Sequence, residues 1–180
     1  MGTAVSVEGD GLAVRGRELA VAPRPEHLGG PRTPFLEWRA TWTLDVGFMD
    51  EDHRGLAARL NRLARDYGPR SSLGACPMRR PDAPPLQEAL GELALHARAH
   101  FHREEEVMRV DGYPDLPEHK SEHDQRLAEL SMLMRELRES GRQWLDAEVL
   151  ESLKDWFLGH VLEQDRALAE FLKRPEPPGE

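Results

Sequence analysis

From about Trp42 to Leu172 the apolar residues recur at spacings of three and four, the period of an amphipathic helix. The first stripe runs through Met49, His53, Leu56, Leu60, Leu63 and Tyr67 and stops at Gly68-Pro69. The second takes Leu86, Leu90, Leu93, Ala97, His100, Glu104 and Val107, and ends near Gly112-Tyr113-Pro114. The third takes Leu116, His119, His123, Leu127, Leu130, Met134 and Leu137, closed by Ser140-Gly141. Asp115 stands where an N-cap belongs, with Glu118 three residues on as in a capping box. The fourth takes Val149, Leu153, Trp156 and His160, with Val161, Asp165, Leu168 and Leu172 on the adjoining row, until Pro175 stops it. One link, Gly68 to Pro85, is long, and the others are short. The pattern predicts an all-α fold, an up-down-up-down antiparallel four-helix bundle over residues 37–174. An irregular N-terminal extension (1–36) and a short tail (175–180) flank it. Within the extension, Val5, Val7, Leu12 and Val14 around Gly9-Asp10-Gly11 fit a small hairpin, and the Pro-Gly cluster from Pro23 to Pro34 reads as a linker.

The stripes are interrupted by polar residues of one kind. Five of the eight histidines fall on them: His53, His100, His119, His123 and His160, at least one per helix. Glu104 lies one turn after His100, and Asp165 five residues after His160. A single histidine on an apolar face is commonly a hydrogen-bonded core residue. Five of them with two carboxylates are not explained that way. Burying an ionised carboxylate is costly unless it is paired or binds a metal, and the four stripes carry no Lys or Arg. The pairs His100/Glu104 and His119/His123 are each four residues apart, so each projects toward one point. Asp165 is less regular, because five α-helical residues turn it well away from His160; a local π-bulge would realign it. Mixed nitrogen and oxygen donors in this number exceed a single tetrahedral site, and the lack of Cys ligands counts against structural zinc. Imidazole with carboxylate suits iron, and manganese or zinc less specifically. Spacing and residue type therefore lead to a dinuclear metal site in a helical bundle, and no further.

Composition narrows the setting. The chain of 180 residues is long enough for one domain with a real core, and contains no run of membrane-spanning length. A net charge of −9 argues against nucleic acid as a partner. The only cysteine, Cys76, excludes an intrachain disulfide, and the N-terminus lacks the basic-then-apolar pattern of a signal peptide. A cytoplasmic location without membrane attachment is the expectation.

Several segments resemble the bacterial hemerythrins: WTLDVG (Trp42 to Gly47), MDEDHRGL (Met49 to Leu56), LNRL (Leu60 to Leu63), HFHREEEVM (His100 to Met108), GYP (Gly112 to Pro114), HKSEH (His119 to His123) and WFLGHVLEQD (Trp156 to Asp165). The resemblance runs in order from about Trp38 to Leu172. It implies two iron ions bridged by an oxo or hydroxo group, with dioxygen as the ligand. His119, His123 and His160 would hold one iron and leave it coordinatively full. His53 and His100 would hold the other with one position open, and Glu104 and Asp165 would bridge. Leu56, Phe101, Trp156, Phe157 and Val161 would wall the ligand pocket. The implied function is reversible dioxygen binding by a carrier, store or sensor rather than an enzyme. The alternative is a di-iron enzyme with peroxidase or nitric oxide-reducing activity, for which His96 would be the acid-base candidate. The chain departs from the family in a shorter Gly47–His53 gap, the long first link, the N-terminal extension, and His96 where an aromatic residue is usual. His27 and His102 read as surface residues. The protein partner that receives oxygen and the oligomeric state stay open.

Overall fold

The computed structural model describes residues 34–69 and 79–174. The hairpin expected around Val5–Val14, the linker from Pro23, His27, Cys76 and the tail 175–180 lie outside the described residues. The four expected stripes become four rods: α1 (Gly47–Tyr67), α2 (Leu86–Asp111), α3 (Leu116–Glu139) and a composite fourth. The last is α4 (Ala147–His160), one π-helical turn (Val161–Asp165) and α5 (Arg166–Leu172) in unbroken succession. There is no strand among the described residues. Helix α1 packs against α2 and α4, and α2 against α3, which is the arrangement of an up-down-up-down bundle. None of these helices is long and apolar enough to cross a membrane.

The helix ends show why the elements stop where they do. Gly112 (φ 67°) and Gly141 (φ 66°) adopt the left-handed conformation that ends α2 and α3 without a Cβ penalty. The Asp146 side chain accepts a hydrogen bond from Val149 N at 2.9 Å and caps α4. The capping box expected at Asp115 does not form. Its side chain makes no capping bond, because ψ of 20° takes the residue out of the extended conformation that aims a cap at the first turn. Before α1, a 3-10 turn (Ala40–Trp42) leads into a strap pinned by the buried Asp50. That carboxylate accepts from Leu44 N at 2.8 Å and Asp45 N at 3.0 Å. The strap leads straight into α1 at Gly47. Leu36, on the extension side of the expected boundary, is buried and exchanges two hydrogen bonds with Asn61.

The buried apolar side chains form two clusters. The larger includes Leu56, Leu60 and Leu63 of α1, Leu86, Leu90 and Leu93 of α2, and Leu150, Leu153 and Phe157 of α4. The smaller joins Leu44, Met49, Met108, Tyr113, Leu168 and Ala169. On α1, His53 lies between Met49 and Leu56; on the fourth rod, Asp165 lies between Val161 and Leu168. The bundle thus has a polar layer between two apolar plugs.

The two caps give a first test. Asp146→Ala removes a formed cap and is expected to cost about 1 kcal/mol of stability, whereas Asp115→Ala costs only a few tenths. Chemical denaturation of both variants checks the difference, and equal losses would contradict it.

Candidate metal centre

All five stripe histidines and both stripe carboxylates are buried, with Glu104 and Asp165 at 0% exposure. Glu104 is one helical turn beyond His100 on α2, and His119 and His123 are a turn apart on α3. The fourth rod solves the His160–Asp165 problem with its π turn. Five α-helical residues would turn Asp165 about 140° away from His160. The wider π turn brings it back, and Asp165 Oδ1 lies 3.0 Å from His160 Nε2.

Each carboxylate divides its two oxygens between two groups of imidazoles. Glu104 Oε1 lies 3.5 Å from His100 Nε2, while Oε2 lies 3.2 Å from His123 Nε2 and 3.9 Å from His119 Nε2. Asp165 Oδ2 lies 2.9 Å from His53 Nε2 and 3.8 Å from His100 Nε2, while Oδ1 faces His119 at 3.3 Å and His160. Two overlapping donor clusters result: Glu104, His119, His123, His160 and Asp165, and His53, His100, Glu104 and Asp165. The shared members are the two carboxylates.

These atoms approach closely without satisfying one another. Both oxygens of Glu104 and of Asp165 are buried without a hydrogen-bond partner, as are Nε2 of His119, His123 and His160. His53 and His100 point their Nε2 atoms at each other across 3.2 Å. Orphaned buried donors and acceptors are rare in folded proteins. Separations of about 3–4 Å are those of neighbouring ligands around a metal ion bound at about 2.1 Å. The residues present therefore fit a pair of cations, five donors on one and four on the other.

Two outer carboxylates missing from the sequence reading complete the site. Asp52 Oδ2 lies 3.5 Å from His100 Nδ1, and Asp52 is itself held by Arg103 at 2.8 and 2.5 Å. Glu105 Oε1 lies 3.1 Å from His123 Nδ1, and its other oxygen takes Lys120 Nζ at 3.0 Å. One imidazole of each cluster is thus backed by an acid that a surface cation holds. Both acids sit beside a stripe residue (Asp52 before His53, Glu105 after Glu104), so helical periodicity put them on the polar face. The available signal was charge pairing across helices, with Arg103 and Lys120 equally close to stripe residues.

Burial opposes charge on His100, but the carboxylates of Glu104, Asp165 and Asp52 outweigh it and hold its pKa at about 10 in the metal-free protein. His123 goes the other way. Burial, then the charges of His160 and His119, push it down to about 2. Burial, reinforced by the Asp165 charge, raises Glu104 well above the usual carboxylate range. Asp165 stays well below that range because the histidines around it outweigh its burial.

Beside this layer is a small cavity with about 10 Å³ of room for the centre of a water-sized sphere. Leu56, Phe101, Trp156, Phe157 and Val161 line it, together with His100, His160 and Arg126. Phe101 also stacks on the His123 ring at 4.1 Å and fixes its plane. His96 is not among the lining residues. It is half-buried, with Nε2 3.2 Å from Asp52 O, in space left by the absent side chain of Gly55. His102 is exposed.

A helical bundle whose core holds two overlapping histidine-carboxylate clusters is, as a class, a dinuclear metal-binding bundle. The family described as the hemerythrin HHE cation binding domain matches residues 44–172, and this chain belongs to it. A bacteriohemerythrin of Methylococcus capsulatus is 26% identical over 133 residues, covering 70% of this chain and 91% of that one. A bacteriohemerythrin of Stenotrophomonas maltophilia is 27% identical over 144 residues, covering 77% and 82%. The crystal structure of wild-type hemerythrin superposes with a TM-score of 0.62 over 78% of this chain and 99% of that one, at 23% identity, a likeness of fold.

Two outcomes are expected. His100 has its pKa raised above the ordinary 6.5, so its proton stabilises the metal-free protein fully below 6.5 and ceases to as pH rises through about 10. A metal must displace that proton, so affinity should rise with pH across this window, with roughly one or more protons released per chain at neutral pH. Calorimetry in buffers of different ionisation enthalpy measures the release, and none would contradict the assignment. Glu105→Gln and Asp52→Asn should each weaken metal binding about ten- to a hundredfold in competition with a chelator; unchanged affinities would make the outer acids mere surface charge.

Proposed function

We propose that this chain binds dioxygen reversibly, as a carrier or store, at a non-haem di-iron centre within the bundle. The observation that carries the reading is the pair of donor clusters, with five and four members sharing two carboxylates, beside an apolar cavity. His119, His123 and His160 would hold one ion, with Glu104 and Asp165 as the carboxylates the two clusters share. His53 and His100 would bring fewer imidazoles to a second ion, so that cluster has room for an external ligand. Bound iron supplies the open coordination position and the two electrons that dioxygen uptake needs. The chain's own part is to orient the donors and keep water out. The rings of Phe101, Trp156 and Phe157 and the side chains of Leu56 and Val161 do the latter. Membership of the hemerythrin family supports the choice of iron and of dioxygen. The bundle, residues 37–174, carries the function, with residues 1–36 as an accessory segment.

Protein loaded with ferrous iron should contain about two ions per chain, one for each cluster, and give a spectrum that oxygenation and deoxygenation reverse. One ion per chain, or irreversible consumption of dioxygen, would overturn the reading. A chain starting at Phe35 should behave alike. Phe157 meets the His53 ring edge-on at 6.3 Å between centroids. Phe157→Ala should therefore admit water and shorten the life of the oxygenated spectrum severalfold at unchanged iron content; an equal lifetime would reduce Phe157 to ordinary packing.

A further inference from the structure

Helix α1 contributes a single donor, His53, to the polar layer, and that donor belongs to the four-member cluster alone. The five-member cluster draws on α2, α3 and the fourth rod. A shift of α1 against α2 therefore changes the spacing of His53 and His100 and leaves the other cluster's imidazoles in place. Ridge-into-groove packing by itself leaves a scatter of helix offsets. Donors around an ion must be held to within about 0.5 Å. Directed contacts across the α1–α2 seam have to close that gap.

Among the described residues, three polar contacts that involve no member of the donor layer cross the seam. Arg62 pairs with Glu92, and Arg103 with Asp52, side chain to side chain. The two arginines are 38% and 45% exposed, so either can follow a helix that moves. The third contact reaches the main chain. His96, on α2 one turn before His100, places Nε2 3.2 Å from the carbonyl oxygen of Asp52. A carbonyl only accepts, so Nε2 carries the proton and donates. A bond to the main chain of α1 is lost if the helix slides or turns.

This bond depends on the missing side chain at position 55. A Cβ on Gly55 would lie 2.5 Å from His96 Nε2 and 2.8 Å from Cε1, so the ring would have to leave. Glycine inside a helix is destabilising relative to alanine, and α1 carries it where the ring is seated. Arg59 flanks the notch and donates from Nη1 to the Gly55 carbonyl at 3.0 Å. Burial, reinforced by the Arg59 charge, outweighs the Asp52 carbonyl and holds the His96 pKa below the ordinary 6.5, so the seated ring is neutral at neutral pH. The carbonyl it grips belongs to the peptide between Asp52, which backs His100, and His53 itself. One bond thus ties the two helices at the level of both imidazoles of the four-member cluster.

We propose that His96, seated on Gly55, is the positioning residue of that cluster: it sets the spacing of His53 and His100 and so governs the affinity of one ion of the pair. The inference rests on the reading of the layer as a dinuclear centre, whatever external ligand the centre takes.

The test loads the full-length protein with cobalt(II) without air and withdraws the metal with a graded chelator, following the visible absorption of the bound ions. The wild type should lose its two ions in two steps, the four-donor ion first. In His96→Leu the first step should fall at about three- to tenfold lower chelator, the worth of one hydrogen bond, while the second step stays in place. His96→Gln, whose amide can donate from nearly the same position, should restore most of the first step. Gly55→Ala evicts the ring while favouring the helix, and should weaken the same ion by a similar factor; that loss cannot come from a less stable α1. An unmoved first step in His96→Leu and Gly55→Ala would overturn the proposal. Equal weakening of both ions in His96→Leu, the mark of a generally loosened bundle, would do the same. If His96→Leu does not fold, an unmoved first step in Gly55→Ala overturns it alone. A wild type that holds two cobalt ions, but whose iron-loaded form takes up no dioxygen, would refute the oxygen-binding reading and leave the role of His96 standing.

Discussion

An ionised carboxylate loses its hydration in an apolar interior and must find a replacement. This bundle buries two carboxyl groups, Glu104 and Asp165, and among the described residues no lysine or arginine pairs with either. Five imidazoles surround them, and these cannot all donate to the carboxylates and to one another at once. A pair of cations resolves the whole set together. The rest of the architecture follows from that requirement. The donors come from every rod, so the four must stay in register, and apolar plugs on both sides keep the layer dry.

The layer also explains the local irregularities. A continuous α-helix cannot present His160 and Asp165 to one centre, so the fourth rod widens by one π turn. The two carboxylates differ although both are fully buried. Glu104 is driven toward its neutral form by burial and by Asp165, while Asp165 sits among enough imidazoles to remain charged. The outer acids also differ in how closely they meet their imidazoles. Glu105 makes a hydrogen bond to His123, whereas Asp52 stands farther from His100 and is gripped by Arg103. One end of each outer chain thus reaches a metal-facing imidazole and the other reaches solvent.

Next to this fixed layer lies the small cavity. Its apolar walls favour a small neutral guest and resist water.

The helices and the candidate donors were legible in the amino-acid pattern alone. Apolar spacing marked four rods, and seven donors lie on the stripes because a donor aimed at a buried ion must occupy a core position. A family resemblance supplied the wall residues, which the cavity brings together around His100 and His160. Helical period could not show Asp52 or Glu105, because it assigns charged residues beside a stripe to the solvent face. Their roles depend on which helix stands opposite. The π turn at Val161–Asp165 was readable only as a misfit in spacing. The failed cap at Asp115 was not readable at all, because a backbone angle decides it. The sequence fixes residue type along each rod, whereas distances between rods exist only once the bundle has packed.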